Sequence, residues 1–462
     1  MKFTGSVMKS SLIITFCSFL FSLVAAVPEV RADNNLVQLG NFERFSRPWG
    51  TGQYSSYGLW WCSRGANAKA RAVRLSQPVY GIRTALRINN QSTRAPHVYG
   101  NTSQRISAKP NTDYRISLWA AAQNLRSNGA VNIAYEASWT KRPICLKGGT
   151  YKWSYYAATL NTGVANYIDL RIISEDVGSV LITGIMVHEI HDGIAHIQYD
   201  LASGATVNAF IFDPSQLIIY RSSPSSGGDW YADIVRARGL TVLVNGTYIG
   251  GKPTQAFGDF VLNNSLGRYN GASSLKGKNL IQFLNDRYYF AVDNSLQGIL
   301  VGGRIASRSN LKWAIGGLGG LLYNGRFVHF ERNRSTRLFN GIDGNSSIAR
   351  SAIGFTWDGK IILMTTGNGS TRKPGASIRD LATELLRLGA KHAAALDGGS
   401  ATFAYYRYAS PSLVANPRKS YTSNYSFVGA KPLSGATKHV PPASTPQSVG
   451  PTMTTTPRPR YP

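Results

Sequence analysis

The run "KHAAALDGGSATF", residues 391 to 403, places one acid, Asp397, between an apolar stretch and two glycines. A carboxylate at the carboxyl end of a strand has its Cα fixed by the ladder, and neighbouring glycines let a ligand reach the backbone. Asp-Gly and Gly-Gly are also common turn formers, so Asp397 is either a working carboxylate or a turn acid. Arg350 in "IARSAIG" and Asn245 in "VNGT" add a guanidinium and an amide; an ion pair and an Asn-Gly turn of type I′ are their structural alternatives. A second set lies near the amino terminus, where "WGTGQYSSYGLWW" supplies Trp49, Tyr54, Tyr57, Trp60 and Trp61. Aromatic faces of this kind stack on sugar C–H surfaces, or they fill a core. The 7 histidines show no HxH or HExxH spacing, which argues against zinc. A single divalent ion held by oxygens, such as calcium, is the one cofactor left open.

The elements that must position these groups change character along the chain. From about Asn34 to Ile190, short alternating runs such as "TDYRISLWAAA", "YKWSYYAATL" and "NYIDLRIIS" are broken by turn residues. That pattern predicts an antiparallel β-sandwich, jelly-roll-like, over residues 34–190. Six of the 9 tryptophans fall there: Trp49, Trp60, Trp61, Trp119, Trp139 and Trp153. From residue 194 to 430, strands such as "NAFIFD" and "SAIGFTWDGKIILMTT" are joined by glycine-rich links and one amphipathic helix, an α+β texture. In "SIRDLATELLRLGA" the apolar residues Ile378, Leu381, Leu385 and Leu388 recur at helical spacing, with Ser377 as N-cap and Gly389 as stop.

Residues 1–32 read as a secretory signal: Lys2 and Lys9, an apolar run from Leu12 to Val27, and small-residue ends near Ala26 and Ala32. Its removal takes Cys17 away and leaves Cys62 and Cys145, which form a disulfide or stay as two thiols. No later segment is long and apolar enough to span a membrane, so the expected location is secreted, periplasmic or cell-envelope. Residues 431–462 are rich in Pro and Thr with no apolar period, a disordered tail.

Length and composition bound the rest. The 462 residues exceed one ordinary domain, and a hydrophobic content of 43% excludes a disordered chain. The 50 Lys+Arg against 23 Asp+Glu give a net charge of +27, a field that attracts anionic polymers. The basic residues are scattered, so no specific nucleic-acid partner is expected. Oligomeric state is left open.

Five motifs in order give residues 194–430 a family resemblance: "GIAHIQYD", "LTVLVNGTYIGGKP", "AIGGLGGLLYNGR", "IARSAIGFTWDGKIILMTT" and "GASIRDLATELLRLGAKHAAALDGGSAT". They resemble the opening strand, the Asn-Gly-Gly-Phe-Phe motif, the glycine-rich strand and turn, the Arg-Thr-Ala-Ile-Gly strand pair and the closing helix with its Leu-Asp-Gly-Gly-Gly-Ser block of the phosphodiester glycosidases. The resemblance implies hydrolysis of a bond between sugar C1 and a phosphodiester oxygen. Phosphate is a good leaving group, so such a site needs a carboxylate near C1, a cation on phosphate and oriented amides more than a strong general acid. Asp397, Arg350 and Asn245 are the candidates for catalysis, with Asp259 and Asp343 as further carboxylates. Gly246, Gly398, Gly399, Ser400 and Thr402 are candidates for substrate contact, the two glycines of the last block through their N–H groups. The sequence departs from the family at Thr247, in place of a glycine, and at Ser400 and Ala401, in place of a glycine and a serine.

Residues 34–190 resemble secreted carbohydrate-binding sandwiches in "NLVQLGNFE", "NTSQRISAKPNTDYRISLWAAA" and "GGTYKWSYYAATLNTG". That resemblance implies a glycan partner, with Trp49, Trp60 and Trp61 as stacking candidates and Glu43 as a candidate calcium ligand lacking its usual second acid. The combined expectation is a secreted glycosidase acting on glycan or phosphate-containing polysaccharide. A glycan-binding or adhesion protein with a degenerate glycosidase site is the alternative.

Overall fold

The computed structural model describes residues 33–43, 53–54, 59–62, 68–91, 100–136, 140–221, 231–247, 260–262, 265–267, 288–302, 310–316, 319–328, 347–367, 374–410, 413–415 and 426–433. The expected secretory signal, Trp49, Tyr57, Trp139, Asp259, Asp343, the Tyr54 side chain and the tail beyond Leu433 lie outside the described residues.

Alternating segments of the first half become two antiparallel sheets. One runs, in spatial order, Gln53–Tyr54, Trp61–Cys62, Gly100–Ser107, Tyr167–Ser174, Val131–Ala134 and Ile144–Cys145. The other joins Ala68–Val79, Ile82–Asn90, Gly178–His191, Asp113–Leu125 and Gly149–Asn161. The side-chain period of 2 sends Tyr114, Ile116, Leu118 and Ala120 inward, against Trp60, Ile106, Leu170 and Ile172 of the facing sheet. Fully burying one such Ile or Leu contributes about 1.5–3 kcal/mol. The opposite residues of the same strand, Arg115, Ser117 and Trp119, are buried as well. Their face of the sheet is covered by the second half of the chain.

The two halves share more than a contact. Gly178–His191 turns through Asp192 and Gly193, both at positive φ (54° and 80°), directly into Ile194–Asp200. Such a two-residue Asp-Gly hairpin keeps the strands hydrogen-bonded. The boundary expected near residues 190–194 is therefore a tight turn inside a continuous sheet. From Ile194–Asp200 that sheet continues through Thr206–Phe212, Ile361–Thr366, Arg350–Thr356, Ala390–Ala395, Gly319–Tyr323 and Arg326–Phe327. At the seam Arg115 pairs with Asp358 at 2.7 Å, and Trp119 Nε1 donates to Arg387 O at 3.0 Å. Burial opposes both charges of the pair, yet each partner holds the other ionised: the Asp358 pKa is lowered and that of Arg115 raised.

Helix α1, Tyr231–Arg238, and helix α2, Ile378–Arg387, are the α-helices of the described residues. In α2 the Ser377 hydroxyl accepts the Asp380 N–H at 3.1 Å while the Asp380 carboxylate accepts the Ser377 N–H at 3.1 Å. This reciprocal cap and Gly389 at φ +86° bound the helix as the sequence predicts. Its apolar face, with Leu381 and Leu385, covers Ile197, Val207, Ile362 and Met364 on one side of the long sheet. The other side packs Phe210, Ile353 and Leu363 against Val242, Val244, Phe290 and Ile315 of two smaller five-stranded sheets. Helix α1 has no counterpart among the elements expected from sequence, because its 8 residues carry too short an apolar period.

The cysteines take one of their two alternatives, and one stacking candidate fails. Cys62 and Cys145 are free thiols, one buried and one exposed. Their strands are second and sixth in the first sheet, so about 4.8 Å per strand separates them by ~19 Å, far beyond disulfide reach. Trp60 cannot stack on a sugar: it is fully buried, donates its indole N–H to Gln38 O at 3.1 Å and packs on Phe42 at 5.2 Å. No helix of the described residues is long and apolar enough to cross a membrane.

Candidate active site

Three strand ends meet at one place. Arg350–Thr356 and Ala390–Ala395 pair antiparallel with Ala352 opposite Ala395, and that register carried two residues further sets Arg350 opposite Asp397. The Leu396 N–H donates to Ser351 O at 2.9 Å, which extends the ladder toward the pair. From the neighbouring sheet the strand Val242–Asn245 brings Asn245 and Gly246: the Asp397 N–H donates to Gly246 O at 3.0 Å, and Asn245 Nδ2 donates to Asp397 O at 2.8 Å. Asp397 and Arg350 are 7% and 4% exposed, two charged groups nearly withdrawn from water. In such surroundings their electrostatic effect on a bound group far exceeds its value in water.

Asn245 departs from its expected use. It is fully buried, and besides holding the Asp397 carbonyl its Oδ1 accepts from Ser351 Oγ at 2.6 Å and from the Phe403 N–H at 3.2 Å. The amide orients protein backbone. The two glycine amides are likewise engaged: Gly398 N–H meets Asp397 Oδ1 at 2.8 Å, and Gly399 N–H meets Ala349 O at 2.8 Å. Their lack of a side chain serves the turn, since a Cβ on Gly398 would lie 2.9 Å from Ala349 O and Gly399 sits at φ +61°. The Arg350 Nε donates to Ala376 O at 3.1 Å, so that edge of the guanidinium is committed to the segment leading into α2.

The other candidates surround this centre. Gly246 lies against Ser426, whose Oγ would be 2.4 Å from an added Cβ, and Thr247 is buried with its N–H on Ser426 Oγ at 2.9 Å. Ser400 is exposed in the single-turn helix Gly399–Ala401, and Thr402 is buried behind it. Ser351 and Ser426 join the centre without having been expected there. Ser351 adjoins Arg350 in the "IARSAIG" motif, whereas Ser426 carries no motif signal at all. Among the described residues no group of three His, Cys, Asp or Glu side chains is placed to hold a metal ion. His188 is buried and His196 packs on Phe210, with burial lowering their pKa values to about 3 and about 4.

A second arrangement lies on the outer face of the first sheet. The register puts Trp61 opposite Ser103, Ser103 opposite Arg171 and Arg171 opposite Ala134, one row across four strands. Two residues along, on the same face, Arg105 faces Asp169, which also accepts from Arg171 Nε at 3.2 Å. The Arg105 guanidinium lies 4.6 Å from the Tyr167 ring centroid, and its side chain is 64% exposed. Trp61 is half-buried on this face, the opposite of its neighbour Trp60.

Residues 238–441 match the family described as phosphodiester glycosidase. No curated protein matches the chain. Among solved structures, the zebrafish N-acetylglucosamine-1-phosphodiester alpha-N-acetylglucosaminidase catalytic domain is similar at 17% identity and a TM-score of 0.41, covering 52% of this chain and 82% of its own. A protein from Synechocystis is similar at 12% identity and a TM-score of 0.36, over 79% of this chain and 80% of its own. A family 16 carbohydrate-binding module is similar at 16% identity and a TM-score of 0.23, over 33% of this chain and 99% of its own. Asn245, Arg350 and Asp397 all fall within the segment, residues 238–441, that matches the phosphodiester glycosidase family.

Proposed function

We propose that this protein is a hydrolase that cleaves the bond between a sugar C1 and a phosphodiester oxygen in an extracellular or envelope glycan, with its sandwich holding the polymer. The observation that supports the reading is the register of Ala352 opposite Ala395, which, continued by two residues, brings together Asp397 and Arg350, 47 residues apart in sequence. In this reading Asp397 stabilises the positive charge that develops at C1 as the bond to the leaving oxygen breaks. Arg350 binds the phosphate, whose own acidity makes it a competent leaving group. Asn245 fixes the Asp397 segment and does not touch the sugar. Trp61, Arg171 of the same row and Arg105 beside it offer one aromatic face and two guanidinium groups to an anionic glycan, and the net charge of +27 draws such a polymer in. Export of the chain belongs to the same proposal and rests on its first 32 residues.

The test is hydrolysis of synthetic sugar-1-phosphate methyl diesters carrying glucose, galactose or N-acetylglucosamine, with and without added divalent ions. Release of free sugar and methyl phosphate is expected from at least one. A full-length, folded protein that releases neither from any of them, yet is retained on the polymer, would assign it to the glycan-binding alternative.

A further inference from the structure

We propose that Ser351 is a positioning residue for this hydrolysis, acting through Asn245 on the segment that carries Asp397; the proposal rests on the phosphodiester glycosidase reading of the site. Ser351 is 1% exposed, which keeps it from touching a substrate. Its hydroxyl donates to Asn245 Oδ1 at 2.6 Å, and the far end of the same amide donates to Asp397 O at 2.8 Å. The direction of this relay is set by chemistry. The Phe403 N–H can only donate, so the Asn245 atom it meets at 3.2 Å is the oxygen, and the amide NH₂ must then face the Asp397 carbonyl. A second donor on that oxygen, the Ser351 hydroxyl, polarises the amide and strengthens its outgoing bond.

The consequence falls on one residue. The Asp397 backbone is held from both sides, its carbonyl by Asn245 and its N–H by Gly246 O at 3.0 Å. A short side chain on a backbone fixed this way keeps its carboxylate within a narrow range, which a charge aimed at a transition state requires. Ser351 also follows Arg350 directly in the chain and accepts the Leu396 N–H on its own carbonyl at 2.9 Å. One residue thus ties the arginine strand to the aspartate turn through both its backbone and its hydroxyl.

Full-length wild type, Ser351→Ala and Ser351→Thr should be compared in three measurements: steady-state kinetics on a sugar-1-phosphate methyl diester, thermal unfolding, and amide hydrogen exchange of the peptide spanning residues 396–403. Alanine should lower kcat about tenfold to a hundredfold, the scale of a misplaced catalytic group, and leave KM within about threefold. Threonine keeps the hydroxyl and should restore kcat. Exchange in the 396–403 peptide should rise for alanine alone. Wild-type kcat in Ser351→Ala, or an equal loss in Ser351→Thr, would overturn the proposal, as would unchanged exchange. If wild type turns over no diester while exchange still rises in alanine alone, the hydrolase reading fails and the backbone pin stands.

Discussion

The outer face of the sandwich and the strand-end centre of the second half both gather charged and polar groups, and they do so in opposite ways. On the sandwich, Arg105 and Arg171 stand inside their strands and Trp61 on the short strand beside them, with the Arg105 side chain largely in water. In the second half, Arg350 and Asp397 stand at the ends of strands, almost fully buried, and the groups around them are bonded to one another. Side chains spread across several strands of a sheet make a broad platform. Strand ends converge, and they can hold a few groups at fixed separation in a dry setting. The seam of Arg115, Asp358 and Trp119 then fixes the platform relative to the centre.

Substitutions can break each side of this contrast separately. The largest effects are expected where burial is complete. Arg115→Ala leaves the Asp358 charge buried and unpaired, and the fold should lose about 3–5 kcal/mol in denaturant unfolding. Trp60→Ala should cost about as much, 3–5 kcal/mol, by opening a cavity in the sandwich core. A near-wild-type midpoint for Arg115→Ala would show that the halves are not joined through this pair. Next comes Asp397→Asn, which keeps shape and removes charge: kcat should fall by about two orders of magnitude or more with little change in Tm. Unfolding of that variant would make Asp397 a structural turn acid.

Acid comes third. Burial lowers the pKa of His188 from 6.5 to about 3, and those of His196 and His392 from 6.5 to about 4. The folded state therefore resists a proton that the unfolded chain accepts, so this stability is complete above about pH 6.5 and is lost as pH falls toward 4. The urea midpoint should drop between pH 7 and pH 5, and a midpoint that holds or rises would contradict the assignment. The smallest effect is expected on the platform, where Trp61→Ala should cost about 1 kcal/mol of affinity for an anionic glycan. It should leave turnover of a small soluble diester unchanged; a fall in that turnover would erase the distinction between platform and centre.

Much of this fold and site is legible in the sequence, for reasons that differ by element. Helix α2 announces itself because apolar period, N-cap and glycine stop all agree on the same bounds. Asp397 and Arg350 stand out as charges set in apolar strands, where a charge needs a reason. The direction in which Asn245, Gly398 and Gly399 spend their hydrogen bonds is not legible, because a motif gives residue types and not partners. Ser351 is hidden for a related reason: a serine on a strand buried on both faces leaves no periodic signal. Trp60 and Trp61 are indistinguishable in sequence because two adjacent apolar residues at the start of a short strand carry no period that says which one faces the core. The even cysteine pair suggests a bridge that only the strand order can exclude. The Asp192-Gly193 hairpin reads as a domain break, although Asp-Gly between two strands is the signature of a tight turn.

The central claim is that bond breaking occurs at sugar carbon, assisted by Asp397, with phosphate as the leaving group. Hydrolysis of a sugar-1-phosphate methyl diester in oxygen-18 water, read by mass spectrometry of both products, tests it most directly. Cleavage at C1 places the label in the sugar hydroxyl at C1 and none in the methyl phosphate, and both products are lost in Asp397→Asn. Label in the phosphate would mean attack at phosphorus, with Asp397 no longer the partner of a cationic C1 and Arg350 no longer the holder of a departing phosphate.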